Sequence, residues 1–124
     1  MLSFFLVFIG GSIGATLRYL VSILTNKYLS ITHWGTFIIN IVGCIFLGFV
    51  TTLALNHSNF IASNLKLFLT TGIAGGFTTF STFGYENITL LKNGDIFKSL
   101  LYVSSSFIFG LLAICGGYVL ANLI

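Results

Sequence analysis

Charge is the scarcest ingredient of this sequence. Only 6% of its residues are charged and two of them are acids, where an ordinary soluble domain carries about 25% charged residues. With 56% hydrophobic residues and a mean hydropathy of +1.08, the chain reads as one that lives in lipid. The formal charge of +3 comes from five scattered Lys and Arg residues, which excludes the basic patch that nucleic-acid binding requires. The pI near 9.1 reflects the shortage of acids. Cysteine is equally sparse. Cys44 and Cys115 each lie in an apolar run with no nearby Cys or His, a pattern of small buried hydrophobes and not of a metal site. The roughly ten-residue alternation of β-barrel strands is missing. The opening "MLSFFLVFIGG" lacks the basic stretch of a signal peptide, and its apolar pattern recurs further on, which speaks against its removal.

What is abundant is long apolar runs. Four segments reach the roughly 20 residues that span a bilayer: Phe4 to Leu24, Trp34 to Leu55, Leu67 to Leu91 and Ser99 to Ile124. Short polar breaks, "TNKYLSITH", "NHSNFIASNLK" and "LKNGDIFK", separate them. The expectation is an all-α membrane protein, residues 1–124 forming one domain of four transmembrane helices. Both termini then share one side with Lys66, while Lys27, Lys92 and Lys98 lie on the other and Arg18 is nearer the latter. A positive-inside argument puts the loops at 25–33 and 92–98 in the cytoplasm, on a charge bias shallow enough to allow insertion both ways.

Polar groups within such spans are costly and commonly line a cavity or pathway. Arg18, in "GGSIGATLRYL", reads either as an anchor reaching the headgroups or as a fixed positive charge at an anion-attracting vestibule. Gly10 and Gly14 beside it have GxxxG spacing, suited to close helix packing. Asn40 offers an interhelical hydrogen bond or contacts to something that passes; Thr36, Asn40, Gly43 and Leu47 share its helical face. In "GGFTTFSTFGYEN", the pair Gly75-Gly76 weakens the helix. A break there would free carbonyls suited to a hard cation, tolerable only in a protein-lined or wet site; the alternative is an unbroken helix whose Ser and Thr residues bond back to preceding carbonyls. Phe77, Phe80 and Phe83 recur every three residues, so on a helix they form one stripe, with Thr78, Ser81 and Tyr85 on another. The stripe is either packing or a row of positive ring edges for a small anion. Apart from Glu86 no acid lies within a span, and neutral donors with one Arg favour an anion over a cation.

In that order, "GGSIGATLRY", "GTFIINIVGCIFLG" and "GGFTTFSTFGYEN" closely resemble the Fluc (CrcB-type) fluoride channel family over essentially the whole chain. The resemblance implies a multi-pass protein of the plasma membrane, an antiparallel dual-topology dimer whose two pores let fluoride leave the cell passively and lower its toxicity. It implies that Phe80 and Phe83 turn ring edges to fluoride, that Asn40 donates its amide, and that Ser81 and Thr82 supply hydroxyls. Backbone carbonyls of Gly75 and Thr78 from both subunits would hold a structural sodium ion at the dimer centre. Arg18 would lie at an aqueous vestibule and Glu86 near a pore mouth. Tyr102 and Ser106 fit a row of hydroxyls beside the pore, but the next position on that face is Gly110, which has no side-chain donor.

Other classes make different demands. A small dual-topology proton-coupled drug exporter needs a titrating acid, for which Glu86 is the candidate; one subunit of an obligate heterodimer would fit the shallow charge bias. An intramembrane enzyme needs converging catalytic groups, whereas His33 and His57 fall in loops on opposite sides and no His, Cys and acid share a region.

Overall fold

The computed structural model describes residues 1–29, 32–56 and 63–124, and every regular element among them is helical. The first two apolar runs form α1 (Leu2–Leu29) and α2 (Thr32–Asn56). At 1.5 Å per residue the 28 residues of α1 extend about 42 Å, more than the roughly 30 Å of bilayer hydrocarbon. The third run is built in pieces: α3 (Ser63–Leu67), a π-helical stretch Phe68–Ala74, α4 (Gly75–Phe77) and, beyond two extended residues, α5 (Phe80–Lys92). The last run is α6 (Ile96–Asn122). Among the described residues, α1, α2 and α6 are each long and apolar enough to cross a membrane; no single helix of the third run is.

Contacts fix the direction of each element. Phe37 meets Phe109 edge-on at 6.1 Å near the start of α2, and Asn56 Nδ2 donates to Asn122 Oδ1 at its end (2.7 Å), so α2 and α6 run parallel. Gly10 of α1 faces Gly72 and Gly14 faces Gly76 and Phe77, so α1 runs parallel to the first half of the third run. The turn into α6 needs φ +79° at Gly94 and closes with the Asp95 N–H on the Leu90 carbonyl (2.9 Å). The path is up, down, up, down, with Lys27, Lys92 and Lys98 at one end, as the charge pattern suggested. Helix ends differ from expectation. His33, expected in a loop, lies within α2 and sets its ring edge-on to Tyr102 at 5.5 Å; His57 lies outside the described residues.

The break in the third run is not at the two glycines. Gly75 keeps helical angles (φ −64°, ψ −38°), and the chain leaves the helix at Thr78 (φ −74°, ψ 157°) and Thr79 (φ −150°, ψ 114°). With no proline in the sequence, side chains make this break. Thr79 Oγ1 accepts from the Thr82 N–H (3.2 Å) and so starts α5 as its N-cap. Two extended residues also remove Phe77 from the stripe of Phe80 and Phe83; its ring lies against Gly43 instead.

The glycines serve close approach. A Cβ added to Gly76 would stand 2.5 Å from the Gly11 carbonyl oxygen, and one on Gly14 would collide with the Ile73 carbonyl and the Phe77 N–H. Small residues of this kind let helices associate without help from water. Gly14→Val should therefore cost at least about 1–3 kcal/mol of stability, read as a lower melting temperature in detergent. Gly116→Ala, whose new Cβ meets nothing within 4 Å, should cost no stability and gain up to about 1 kcal/mol from the better helix former.

Candidate functional site

The extended link Thr78–Thr79 organises its surroundings. Asn40, near the middle of α2, donates from Nδ2 to the Thr79 carbonyl (3.1 Å) and accepts the Thr79 N–H at Oδ1 (2.9 Å). In a continuous helix that N–H would close on the Gly75 carbonyl; here the carboxamide replaces the missing turn. Thr36 and Gly43, on the same face of α2, meet Glu86 and the Thr78 methyl. The face read from spacing thus points at the broken run. On the other side, Arg18 Nη1 donates to the Thr78 carbonyl (3.2 Å). A cation at the carbonyl end of a helix is electrostatically favourable, so Arg18 holds the end of the first half while Thr79 begins the second.

Two cavities flank the link, and they divide the predicted residues. A groove of about 580 Å³ between α2, the third run and α6 is lined by Asn40, Thr79, Phe80, Phe83, Ser106 and Gly110. Phe80 and Phe83 stack at 5.7 Å with their planes tilted 42°. Phe80 is 82% exposed. The Ser106 hydroxyl is buried and, among the described residues, has no hydrogen-bond partner. A smaller cavity of about 290 Å³ lies on the α1 side, lined by Arg18, Thr36, Thr79, Ser81 and Thr82. Thr79 Oγ1 lies 2.9 Å from Thr82 Oγ1 and 3.2 Å from Ser81 Oγ, forming a hydroxyl cluster there. Ser81 and Thr82 therefore do not share the phenylalanine groove, because successive residues of α5 project to different sides.

Glu86 and Tyr102 belong to a third arrangement. Glu86 is 7% exposed and accepts from Thr36 Oγ1 (2.8 Å) and from the Tyr102 hydroxyl (2.8 Å). It is packed between helices and is not at an open mouth. The Tyr102 ring leans on Phe83 at 5.0 Å, linking this buried group to the groove. One helical turn further from the break, Ser99 Oγ donates to Asn87 Oδ1 (3.0 Å), while Asn87 Nδ2 donates to the Phe83 carbonyl (2.8 Å). These bonds satisfy polar groups that would otherwise be orphaned at depth.

Thr79 and Asn87 escaped the sequence reading, which shows Thr36 only as part of the Asn40 face, without its partner Glu86. For Thr79 a signal existed, since Thr is a preferred N-cap, but the adjacent glycines drew the break upstream. The Thr36–Glu86 bond joins residues 50 apart in the chain, and no local pattern announces it.

The chain matches the family model described as CrcB-like protein, Camphor Resistance (CrcB), over residues 5–118. A protein of Flavobacterium psychrophilum named fluoride-specific ion channel FluC is 41% identical over 123 residues, covering 98% of each chain. One of the same name from Azobacteroides pseudotrichonymphae is 43% identical over 119 residues, 95% of this chain and 94% of that one. Another from Clostridium perfringens is 51% identical over 92 residues, 73% and 71% respectively. The match over residues 5–118, with relatives 41% and 43% identical over nearly the whole length, leads to one conclusion: this chain belongs to the CrcB-like family.

Proposed function

We propose that the chain is a passive, fluoride-selective channel of the plasma membrane, crossing it four times and working as an antiparallel dual-topology dimer that exports cytoplasmic fluoride. The observation that carries this reading is the gap at Thr78–Thr79, where the amino end of α5 opens between two cavities, one lined by neutral groups and the other by hydroxyls and Arg18. The relatives, named fluoride-specific ion channels, supply the ion.

The residues supply a physical route. Arg18 raises the local concentration of anions at the smaller cavity, while its bond to Thr78 keeps the guanidinium at the side of the path. The amino end of α5 carries the partial positive charge of a helix N-terminus, favourable to an anion. Phe80 and Phe83 offer ring edges, Asn40 the second hydrogen of its amide, and Ser106 an uncommitted hydroxyl. Fluoride exchanges part of its water shell for these contacts. Each is moderate, so the ion binds well enough to enter and weakly enough to leave. Nothing in this route makes or breaks a bond, which makes the protein a channel and not an enzyme.

A second copy is supported by Phe80, too exposed for a residue given a role in the path unless another chain covers it. A structural sodium ion fits the Gly75 carbonyl, which lost its helical donor to Asn40. Thr78 would offer the second oxygen, shared with Arg18. When bound, such an ion offsets the carbonyl dipoles of two copies, and conduction does not pass through it.

Proton-coupled export makes Glu86 indispensable. In the present reading Glu86 positions Thr36 and Tyr102. Glu86→Gln should then retain fluoride efflux within about tenfold, the loss of one hydrogen bond worth about 1 kcal/mol. Efflux should also be independent of a pH gradient. Complete loss in folded Glu86→Gln, or a requirement for a proton gradient, would favour the exporter.

A further inference from the structure

Another groove, of about 520 Å³, lies between α2, α5 and α6 and has no place in the route above. It begins at the lysine end of the bundle, where His33 and Lys98 stand in the first turns of α2 and α6, and it reaches Ile41 and Phe109. From Lys98 to Phe109 α6 rises about 16 Å, at 1.5 Å per residue. That is close to half of the roughly 30 Å hydrocarbon core, so the groove is about as deep as one leaflet. Its wall is aromatic: Trp34 meets Phe37 edge-on at 5.8 Å, and Phe37 meets Phe109 in the same way at 6.1 Å. The hydroxyls that reach it are committed, Tyr102 to Glu86 (2.8 Å) and Ser105 to the Tyr102 carbonyl (3.2 Å). An anion entering here would shed water without finding a donor, whereas hydrocarbon would leave no polar group unpaired.

The rim has the opposite character. Lys98 pairs with Asp95 at 3.0 Å, yet its side chain stays 68% exposed. An ammonium has three donors, so two remain for another acceptor. Lys27 and Lys92 stand at the same end, and Asp95 is the acid that faces them, Glu86 being enclosed between helices. Trp34, half exposed at this level, suits the interfacial belt where amphipathic rings settle.

We propose that this groove holds one acyl chain of an anionic phospholipid, with the phosphate on Lys98 beside His33. The two ends together select the occupant: apolar walls of leaflet depth fit an acyl chain, and the excess of cations at the mouth fits a negative headgroup. The proposal rests on the chain's lying in a membrane and not on which ion it carries.

Trp34 is the sole tryptophan of the chain and lines the groove, so its fluorescence reports the occupant. The test places purified full-length protein in phosphatidylcholine liposomes that contain a minor fraction of either phosphatidylglycerol or phosphatidylcholine brominated high in one acyl chain. The brominated phosphatidylglycerol should quench Trp34 at about fivefold lower content than the brominated phosphatidylcholine, the worth of one lysine near a membrane surface. Lys98→Gln should abolish that preference, and Lys92→Gln, at the same end but outside the groove lining, should keep most of it. Equal quenching by the two lipids in the wild type would overturn the proposal. So would equal losses in the two variants, which would mark a general attraction to the surface. Absence of quenching by either lipid would show that protein, such as a second copy, covers this face, and would overturn it as well.

Discussion

Phe80→Ile is expected to lower fluoride efflux by about 100-fold or more, equivalent to about 2.7 kcal/mol in the barrier, while leaving the fold intact. Isoleucine keeps an apolar side chain but removes the ring, and with it the positive edge that could face an anion. Phe80 is 82% exposed and packs within its own chain chiefly on Phe83. Its replacement therefore opens no cavity within its own chain, and the helices should keep their fold. Efflux from proteoliposomes and a detergent melting curve, taken on the same preparation, separate the two effects. Undiminished efflux would remove the phenyl edge from the mechanism.

Asn40→Ala should fail in the opposite manner, losing stability and function together. The carboxamide is the partner of both backbone groups of Thr79. Alanine would leave a buried N–H and a buried carbonyl unpaired, at about 1–3 kcal/mol each, in surroundings where unsatisfied backbone is poorly tolerated. The expected loss is therefore about 2–6 kcal/mol, together with the efflux. Asn40→Asp provides the finer comparison. Its carboxylate can still accept the Thr79 N–H but cannot donate to the Thr79 carbonyl, and it sets a negative charge beside an anion path. This variant should be better folded than Asn40→Ala and equally silent. An Asn40→Ala protein of normal stability would show that the link holds itself.

Much of the architecture was legible because lipid imposes simple rules. Apolar runs of about 20 residues had to become helices, and α1, α2 and α6 follow them, extended by a few residues except at the end of α6, which stops at Asn122. Gly10 and Gly14 were readable as a packing face, and they meet Gly72 and Gly76. The position of the break was less accessible. Glycine weakens a helix, yet Gly75 and Gly76 remain helical, with Gly76 packed tightly on Gly11 of α1 and Gly75 lining the groove. The chain parts instead at Thr78–Thr79, where Arg18 and Asn40 can satisfy the released groups. Those partners come from α1 and α2, tens of residues away, so no local propensity could locate the gap. The candidate site divides on the same ground. Residue type and spacing singled out Phe80, Phe83 and Asn40, and the family resemblance added Ser106; all four line one groove. A stripe drawn on a continuous helix could not foresee that Ser81 and Thr82 would turn toward Arg18, or that Glu86 would be enclosed by Thr36 and Tyr102.

The most direct test of the account is anion efflux from liposomes that contain only this purified chain, loaded in turn with fluoride and with chloride and with no pH gradient applied. The account predicts rapid release of fluoride and retention of chloride. Well-folded protein that releases neither ion, or both alike, would contradict it.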